Sequence, residues 1–228
     1  MTKSTVSPLV AALVLALFPT TICAIRIGFS IFGGIGNGYY DMTDLNNHIG
    51  KVAQETHRNI DQISSGVNVR LEGKLLMLDR FGISIGYEHY WADTAAELAD
   101  PPLTYKAPAD VYLFGGSVKV LSLPTIFDVN AAVNYCHIKT TFGTNYLSDR
   151  RLREFKGSDN GYELTAEVVT NFIRPVEVGI LLGYRVLKVG GLEDKFGNQP
   201  QYYYDNITGS FELDYSGAYF YLTAGIRL

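Results

Sequence analysis

The sequence predicts an all-β fold: an eight-stranded antiparallel up-and-down transmembrane β-barrel with a short amphipathic helix in its first long loop. Three observations predict this fold class. Apolar and polar residues alternate with a period of two along eight stretches of the chain, and the connections between these stretches are alternately tight and long. The composition, with 23 Gly, 16 Tyr and 12 Phe residues but only 18% charged residues, fits an all-β chain.

The last predicted strand has the clearest alternation. Ala218, Phe220 and Leu222 begin an apolar series that interleaves with Tyr219 and Tyr221, so one face is apolar and the other is mixed. The eight strands are predicted near residues 25–40, 64–78, 80–91, 109–121, 126–138, 161–173, 176–190 and 211–228. Tight connections are predicted at residues 79–80, 123–125 and 174–175, and long ones at 41–63, 92–108, 139–160 and 191–210. This alternation is typical of a barrel with short periplasmic turns and longer extracellular loops.

The first 24 residues predict a secretory signal peptide, which leaves residues 25–228 as the barrel domain. Lys3 precedes an apolar run from Leu9 to Phe18, and cleavage is predicted after Ala24. The apolar run is too short to span a bilayer as a helix, and an uncleaved helical anchor is the alternative interpretation. Removing the segment also removes Cys23, so the mature chain keeps only Cys136 and cannot form an internal disulfide.

The charge and the motifs exclude several classes of function. The formal net charge is −4, which makes the chain a poor candidate for a general nucleic-acid binder. The sequence contains no CxxC or HExxH pattern and no P-loop. We therefore expect no cofactor, no metal site and no nucleic-acid partner.

Alternation alone does not decide which face of the barrel points outward, because a soluble ligand-carrying barrel alternates with its apolar face inside. Many glycines stand on the mixed face, among them Gly115 and Gly183, which suits a cramped interior. Aromatic residues on the apolar face gather near strand ends: Phe81, Phe127 and Phe172 toward the short turns, and Tyr87, Trp91, Tyr112, Tyr135 and Tyr162 toward the long loops. Two such belts are typical of the two membrane interfaces, so we expect the apolar face to contact lipid.

With the mixed face inward, the charges of the lumen nearly cancel. The predicted network consists of Arg26, Arg70, Lys74, Lys119, Arg185 and Arg227, opposed by Glu72, Glu88, Asp128, Glu163, Glu167 and Glu177. Unpaired charge is unfavourable in such an interior, so we expect linked ion pairs that fill the lumen, with Lys119 paired to Asp128 and Glu177 to Arg227. Eight strands leave room for little more than side chains. A narrow or gated pore for small solutes is the alternative.

The first long loop predicts a short amphipathic helix. Leu45, Ile49, Val52, Thr56, Ile60 and Ile63 recur at helical spacing after Thr43 and Asp44, which can cap a helix start. We expect the apolar stripe to pack on the barrel rim. A lid, a partner-binding element and a helix in the outer leaflet are the alternatives.

The third long loop carries a cluster of basic residues: Arg150, Arg151, Arg153 and Lys156. Arginine suits bidentate contact with phosphate, so one hypothesis is contact with the phosphates of lipopolysaccharide. The alternative, favoured by the nearby acidic residues Asp149, Glu154 and Asp159, is a solvated charge run. Tyr202, Tyr203 and Tyr204 in the fourth loop leave open an extracellular protein or sugar ligand.

The strand pattern, the loop alternation, the signal peptide and the closing stretch Gly217 to Leu228 resemble the small bacterial outer-membrane β-barrels of the OmpA, OmpX and OmpW kind. The resemblance implies a bacterial outer-membrane location, contact with membrane lipid and lipopolysaccharide, and insertion by the barrel-insertion machinery through the C-terminal strand. Such proteins commonly end in Phe or Trp, whereas this chain has Leu228.

The role that we expect is non-enzymatic, structural or surface-interacting, with specificity in the long loops. Some barrels of this size modify lipid A, which is the alternative. His89 and His137 fall near the long loops on the apolar face, but Glu88 should face away from His89. The sequence therefore predicts no catalytic residues.

Overall fold

The computed structural model describes residues 27–96, 103–123, 126–145, 153–170, 175–200 and 212–228. Some of the predictions fall on residues outside these ranges. They concern the signal peptide, Arg26, Arg150, Arg151, Phe172 and Tyr202 to Tyr204.

Strands make up most of the described chain. In chain order they are β1 (Ile27–Tyr39), β2 (Ser65–Met77), β3 (Phe81–Tyr90), β4 (Asp93–Ala96), β5 (Leu103–Lys106), β6 (Ala109–Leu123), β7 (Phe127–Thr144), β8 (Arg153–Thr170), β9 (Val176–Val186), β10 (Lys188–Val189), β11 (Leu213–Asp214) and β12 (Gly217–Arg227). Eight of them pair antiparallel in the closed order β1, β2, β3, β6, β7, β8, β9, β12 and back to β1. The predicted eight-stranded antiparallel barrel is confirmed.

The barrel closes where the first and last strands meet. Their pairing runs from Ser30 with Arg227 to Gly38 with Tyr219. Beyond it, Phe29 and Leu228 exchange two backbone hydrogen bonds, of 3.2 and 2.8 Å. Closure pairs both edges of each of the eight strands, which a membrane-spanning sheet requires.

The apolar face points outward and the charged face points inward. Ile85 and Leu164 at mid-strand are 70% and 62% exposed, whereas Arg70 and Glu88 are 3% and 0% exposed. An aqueous protein would gain stability from the reverse arrangement, because burial of apolar surface drives folding in water. The orientation is therefore that of a lipid-facing barrel and not that of a soluble ligand carrier.

The two ends of the barrel differ in their connections. We call the end with the connections after β2, β6 and β8 the turn end, and the opposite end the loop end. Outward-facing aromatic residues occur at both: Phe81 lies at the turn end, and Tyr87, Tyr112 and Trp91 lie at the loop end, all between 38% and 49% exposed.

The third long connection is much shorter than predicted. β7 continues to Thr144 and β8 begins at Arg153, so the loop predicted at residues 139–160 is wrong and most of it is a two-stranded hairpin. Inside the hairpin, the ring of Phe142 stacks on that of Phe155 with centroids 6.0 Å apart. The period of two persists here, but the outward residues are polar, which made the segment resemble a loop.

The second and fourth long connections also contain strands. β4 and β5 form a hairpin, and β5 pairs with the outer part of β7 through Tyr105 and Thr144. β10 pairs with β11 in a separate two-stranded sheet. These additions extend the wall of the barrel beyond its loop end.

The predicted helix is confirmed as α1 (Thr43–Thr56), with Leu45, Ile49 and Val52 fully buried. His57 caps its C-terminus with a left-handed backbone, so Ile60 and Ile63 follow the helix instead of continuing it, although both are buried. Within the described residues, the chain has no helix of sufficient length and apolarity to cross a membrane.

Candidate functional site

The centre of the lumen is occupied by Arg70, whose guanidinium contacts three glutamates. Nη2 lies 2.5 Å from Glu72, and Nη1 lies 2.6 Å from Glu88 and 2.9 Å from Glu163. Glu72 and Glu88 stand on the same and the neighbouring strand, but Glu163 stands on β8, four strands away in either direction. The Arg70–Glu163 pair therefore crosses the whole lumen.

Two further ion pairs connect opposite walls. Lys74 on β2 reaches Glu167 on β8 at 2.6 Å, and Arg185 on β9 reaches Glu88 on β3 at 2.8 Å. In each pair the two strands are again four positions apart around the barrel. All of these side chains are less than a tenth exposed. The network thus blocks the central lumen from wall to wall.

A second group of charges lies near the turn end. Lys119 is 2.8 Å from Asp128, and Arg227 is 3.0 Å from Glu177 and 3.5 Å from Asp128. The structure thus brings together both of the pairs expected from strand adjacency. A cavity of only about 30 Å³ remains among these residues.

Glycines make room for the largest side chains of the network. The guanidinium of Arg185 lies 3.7 Å from the ring centre of Tyr219, whose hydroxyl donates to Glu163 at 2.7 Å. A Cβ atom at Gly183, the strand partner of Tyr219, would lie 2.2 Å from that ring. Gly183 is thus required for the position of Tyr219.

The loop end of the lumen is apolar, which the sequence analysis missed. Inward-facing Val111, Leu113 and Ile138 belong to one buried cluster with the apolar stripe of α1 and with Tyr215. The hydroxyl of Tyr215 donates to the carbonyl of Ala107 at 2.8 Å. Val111, Leu113 and Ile138 occupy the same alternate strand positions as the charged lumen residues. Their inward orientation could therefore have been predicted from the alternation. The charged network therefore fills only part of the lumen, and an apolar plug closes the mouth.

Side-chain and backbone hydrogen bonds fix α1 in this mouth. The Asn46 amide donates to the Ile63 carbonyl at 2.9 Å and accepts from the Ile63 amide at 2.8 Å. The Glu212 amide donates to Asp44 at 3.2 Å, which joins the start of the helix to the fourth connection. A helix held from both sides is a fixed cap.

A second polar cluster lies outside the barrel, just beyond the aromatic residues of the loop end. Asp110 Oδ1 lies 2.7 Å from His89 Nδ1 and accepts from the Tyr87 hydroxyl at 2.6 Å. Trp91 packs edge-on against His89 with centroids 4.5 Å apart. Asp110 was not predicted from the sequence because it is distant from His89 in the chain, and the two residues are partners across β3 and β6.

The fold of this chain is shared with a solved outer-membrane protein. The outer membrane protein OprG from Pseudomonas aeruginosa superposes with a TM-score of 0.55 at 10% identity, over 90% of this chain and 97% of that one. Neisserial surface protein A gives 0.48 at 8% identity, over 89% and 95% of the two chains. A major outer membrane protein from Thermus thermophilus gives 0.47 at 12% identity, over 89% and 100%. The chain has the fold of the small outer-membrane β-barrels. No protein-family model and no curated protein matches the sequence.

In this outer-membrane barrel fold, the predicted basic cluster is only partly described. Arg153 and Lys156 are exposed on the outer part of β8, not in a loop as predicted. The backbone of Lys156 forms a β-bridge with Glu193 of the fourth connection. The ordered hairpin thus carries these two cations at the loop end of the barrel.

His48 and Asp194, on the loop side, have displaced pKa values. Partial burial lowers the pKa of His48 on α1 below its ordinary value of 6.5, and the nearby Lys51 lowers it further. Hydrogen bonds from the side chain and backbone of Asn198 and from the Phe196 amide lower the pKa of Asp194. In the described parts of the chain, no three His, Cys, Asp or Glu side chains are grouped so that they could hold a metal ion.

Proposed function

We propose that this protein is a non-enzymatic barrel of a bacterial outer membrane, exported by its signal peptide, with a closed lumen and a structural or surface-interaction role. The observation that carries the proposal is the set of three cross-lumen ion pairs beneath an apolar plug. A conducting protein needs a continuous wet path, and charged side chains tied from wall to wall leave none.

The dimensions support a closed lumen. Eight strands enclose a space just wide enough for side chains. The cavity of about 30 Å³ at the turn end accommodates one or two water molecules, not a solute. On the other side, fully buried Leu45 and Ile49 close the mouth, and their apolar surface opposes hydration of the path.

Planar-bilayer recording tests the closed lumen directly. We expect purified protein, inserted at known density, to produce no steady ion current across a range of voltages. A reproducible single-channel current that scales with protein would overturn the proposal. A large porin inserted in parallel controls for insertion and detection.

The surface-interaction role is supported by the rigid elements at the loop end. The β7–β8 hairpin projects Arg153 and Lys156 beyond the barrel, and Arg150 and Arg151 come shortly before them in the sequence. We propose that these four residues contact lipopolysaccharide phosphates. Co-purified lipopolysaccharide should decrease when all four are changed to Ala, and unchanged retention would remove this contact from the proposal.

Other partners follow from the same location. β12 presents the strand that the barrel-insertion machinery would read, and the loop end would present any extracellular protein or sugar ligand. Replacing Leu228 with Phe tests the first point, because a terminal aromatic residue should increase the yield of folded protein in the outer membrane. An unchanged yield would mean that Leu228 serves equally well.

A lipid A-modifying enzyme is the second candidate, because Asp110 orients His89 in the way that a catalytic base requires. Ser158 and His89 both line one pocket at the loop end, but β8 is three strands from β3, or about 14 Å at ordinary strand spacing. His89 therefore cannot activate Ser158 in this arrangement, and only a water would serve as nucleophile. Mass spectrometry of lipid A from cells with wild-type protein and with His89→Ala would decide, since a changed acyl number that depends on His89 establishes catalysis.

A further inference from the structure

The lipid-facing wall has an apolar hollow at Gly73. Strand register places Gly73 between Ile31 on β1 and Ile85 on β3, so the missing side chain leaves a gap between two isoleucines. The hollow has a volume of about 580 Å³, and it crosses five strands from Phe29 on β1 to His137 on β7. Within a bilayer, apolar groups stabilise each other through close packing. A hollow that extends over five strands therefore fits a flexible hydrocarbon chain.

The two ends of the hollow differ in polarity. At the loop end, Lys139 follows His137 by two positions on β7, so it stands on the same outer face about 6.7 Å further along. Its Nζ atom lies 5.5 Å from the ring centre of Tyr112, which lines the hollow. At the other end, Phe29 lies opposite Leu75, and both side chains face the lipid. An occupant with one polar end therefore has that end beside Lys139, which is the position of an outer-leaflet lipid when the long connections are extracellular.

A second cation stands on the outer face beside Lys139. Lys139 pairs with Ser158 across β7 and β8, and Lys156 lies two positions before Ser158. Such diagonal neighbours are about 7–8 Å apart, so their two ammonium groups can contact one phosphate from two sides. Lys139 and Lys156 also line one pocket of about 550 Å³ at the loop end. The two lysines thus provide a site for a phosphate next to the loop end of the hollow.

The same pocket carries hydrogen-bond acceptors. Asp110 already accepts from the Tyr87 hydroxyl at 2.6 Å and lies 2.7 Å from His89 Nδ1, so its charge is partly satisfied within the protein. Glu193 borders the pocket beside Lys156, to which it is joined by a backbone β-bridge. Carboxylates accept hydrogen bonds from hydroxyl groups but repel a bare phosphate. The lining therefore suits a sugar that carries a phosphate.

We propose that this wall binds one molecule of lipopolysaccharide through its lipid A, with one acyl chain in the hollow at Gly73 and a sugar phosphate between Lys139 and Lys156. Lipid A joins acyl chains, phosphates and sugar hydroxyl groups in one molecule of the outer leaflet. The inference rests on the proposed contact with lipopolysaccharide. It extends that contact by an acyl-chain site and by Lys139, which is not one of the four basic residues proposed for it.

Native mass spectrometry of the full-length protein, purified in detergent, tests the proposal. The probe is hexa-acylated, bisphosphorylated lipid A, and the comparison compounds are its dephosphorylated form, its fully deacylated form and phosphatidylglycerol. We expect one retained lipid A per protein, held at least about fivefold more strongly than each comparison compound, since one lysine near a membrane surface contributes about this factor. Equal retention of the dephosphorylated form, of the deacylated form or of phosphatidylglycerol would overturn the phosphate site, the acyl-chain site or the choice of lipid, respectively.

Gly73→Leu locates the acyl chain. A Cβ atom at Gly73 meets no atom closer than 3.9 Å, so the leucine enters the hollow without a backbone clash. It should weaken retention of lipid A about fivefold, the equivalent of about ten lost carbon–carbon contacts, and should leave the weaker retention of the deacylated form unchanged. Gly116→Leu is the matched control, because Gly116 also faces outward but does not line the hollow.

Lys139→Gln locates the phosphate. It should weaken retention of lipid A about fivefold and leave that of the dephosphorylated form unchanged. Lys195→Gln, at an exposed lysine that does not line the pocket, is its control. Heat-modifiable migration of each variant on a gel verifies that its barrel is folded.

The outcomes separate this proposal from the proposed function, because both site variants keep Arg150, Arg151, Arg153 and Lys156. If Gly73→Leu and Lys139→Gln both retain lipid A like wild type, the site on the wall is wrong. The contact of the four basic residues would then stand or fall with their own Ala variant, and the closed lumen with the bilayer recording.

Discussion

Arg70 and Glu163 stand on opposite walls of the barrel, and their side chains meet in the middle of the lumen at 2.9 Å. Because Arg70 also contacts Glu72 and Glu88, one guanidinium joins carboxylates from three strands. Replacement of Arg70 should therefore destabilise strands on both sides of the barrel.

Arg70→Met should lower the free energy of unfolding by about 3–5 kcal/mol, because it leaves three buried carboxylates without their shared cation. Urea unfolding in micelles or vesicles, followed by tyrosine and tryptophan fluorescence, measures the loss. Lys119→Met is the matched control near the turn end. Its partner Asp128 keeps Arg227, and Lys119 is partly exposed, so the loss should be about 1 kcal/mol or less. Equal losses in the two variants would contradict a central role for Arg70.

Gly183→Ala should destabilise the barrel by about 1–3 kcal/mol, because the new methyl group would overlap the ring of Tyr219. Displacement of the ring should also break the hydrogen bond from Tyr219 to Glu163. The unfolding midpoint is the measurement. Gly73→Ala is the control, because its methyl group on the outer wall would meet no atom closer than 3.9 Å. Its unfolding midpoint should stay within error of wild type.

Phe142→Ala should loosen the outer hairpin selectively, with a local cost of about 3–5 kcal/mol for the lost ring and the cavity that remains. Phe142 and Phe155 are 2% and 4% exposed, and their stacked rings join the two strands of the hairpin. Limited proteolysis should then cut within the hairpin while the membrane-embedded strands stay intact. Phe196→Ala, at a side chain that is 75% exposed, should leave the cleavage pattern unchanged.

Acidification should weaken the docking of α1. The pKa of His48 in the folded protein lies below the 6.5 of an unfolded chain, so the unfolded segment binds the proton more tightly. The contribution of His48 to stability is accordingly complete above pH 6.5 and decreases as the pH falls below it. Hydrogen exchange of the α1 amides, corrected for intrinsic rates, should reveal more opening at pH 5 than at pH 7.5. His48→Gln cannot titrate and should reduce the difference, and an equal difference in both proteins would assign it to other groups.

The sequence was sufficient for the barrel because a period of two in side-chain chemistry reports directly which residues share a face. The alternation of Val67, Val69 and Leu71 with Asn68 and Arg70 assigns both walls of β2 without any knowledge of its neighbours. Adjacent strands also brought Lys119 to Asp128 and Arg227 to Glu177. These pairs depend only on chain order and approximate register.

Contacts between distant strands lay beyond the sequence. Nothing in the chain indicates that Arg70 meets Glu163, because the contact depends on the diameter and tilt of the closed barrel. The pairing of His89 with Asp110 needed an exact register between β3 and β6, which the turn and loop lengths do not supply. The hairpin beyond residue 138 was missed for a different reason. Outside the lipid the outward residues are polar, so the alternation of apolar and polar residues that indicates a strand disappears.

The meeting of Ser30 with Arg227 imposes an order of events on assembly. Neighbouring strands can pair locally. The pairing of β1 with β12 needs almost the entire chain to be synthesised and brought together, so it should form slowly, as is typical of long-range contacts. Until this pairing forms, β1 and β12 are edge strands with unpaired backbone groups. These groups would contact the hydrocarbon core if the open sheet entered the bilayer unaided. The two edge strands therefore have to be paired or shielded while the chain inserts, because each unsatisfied backbone group in the lipid core costs several kcal/mol.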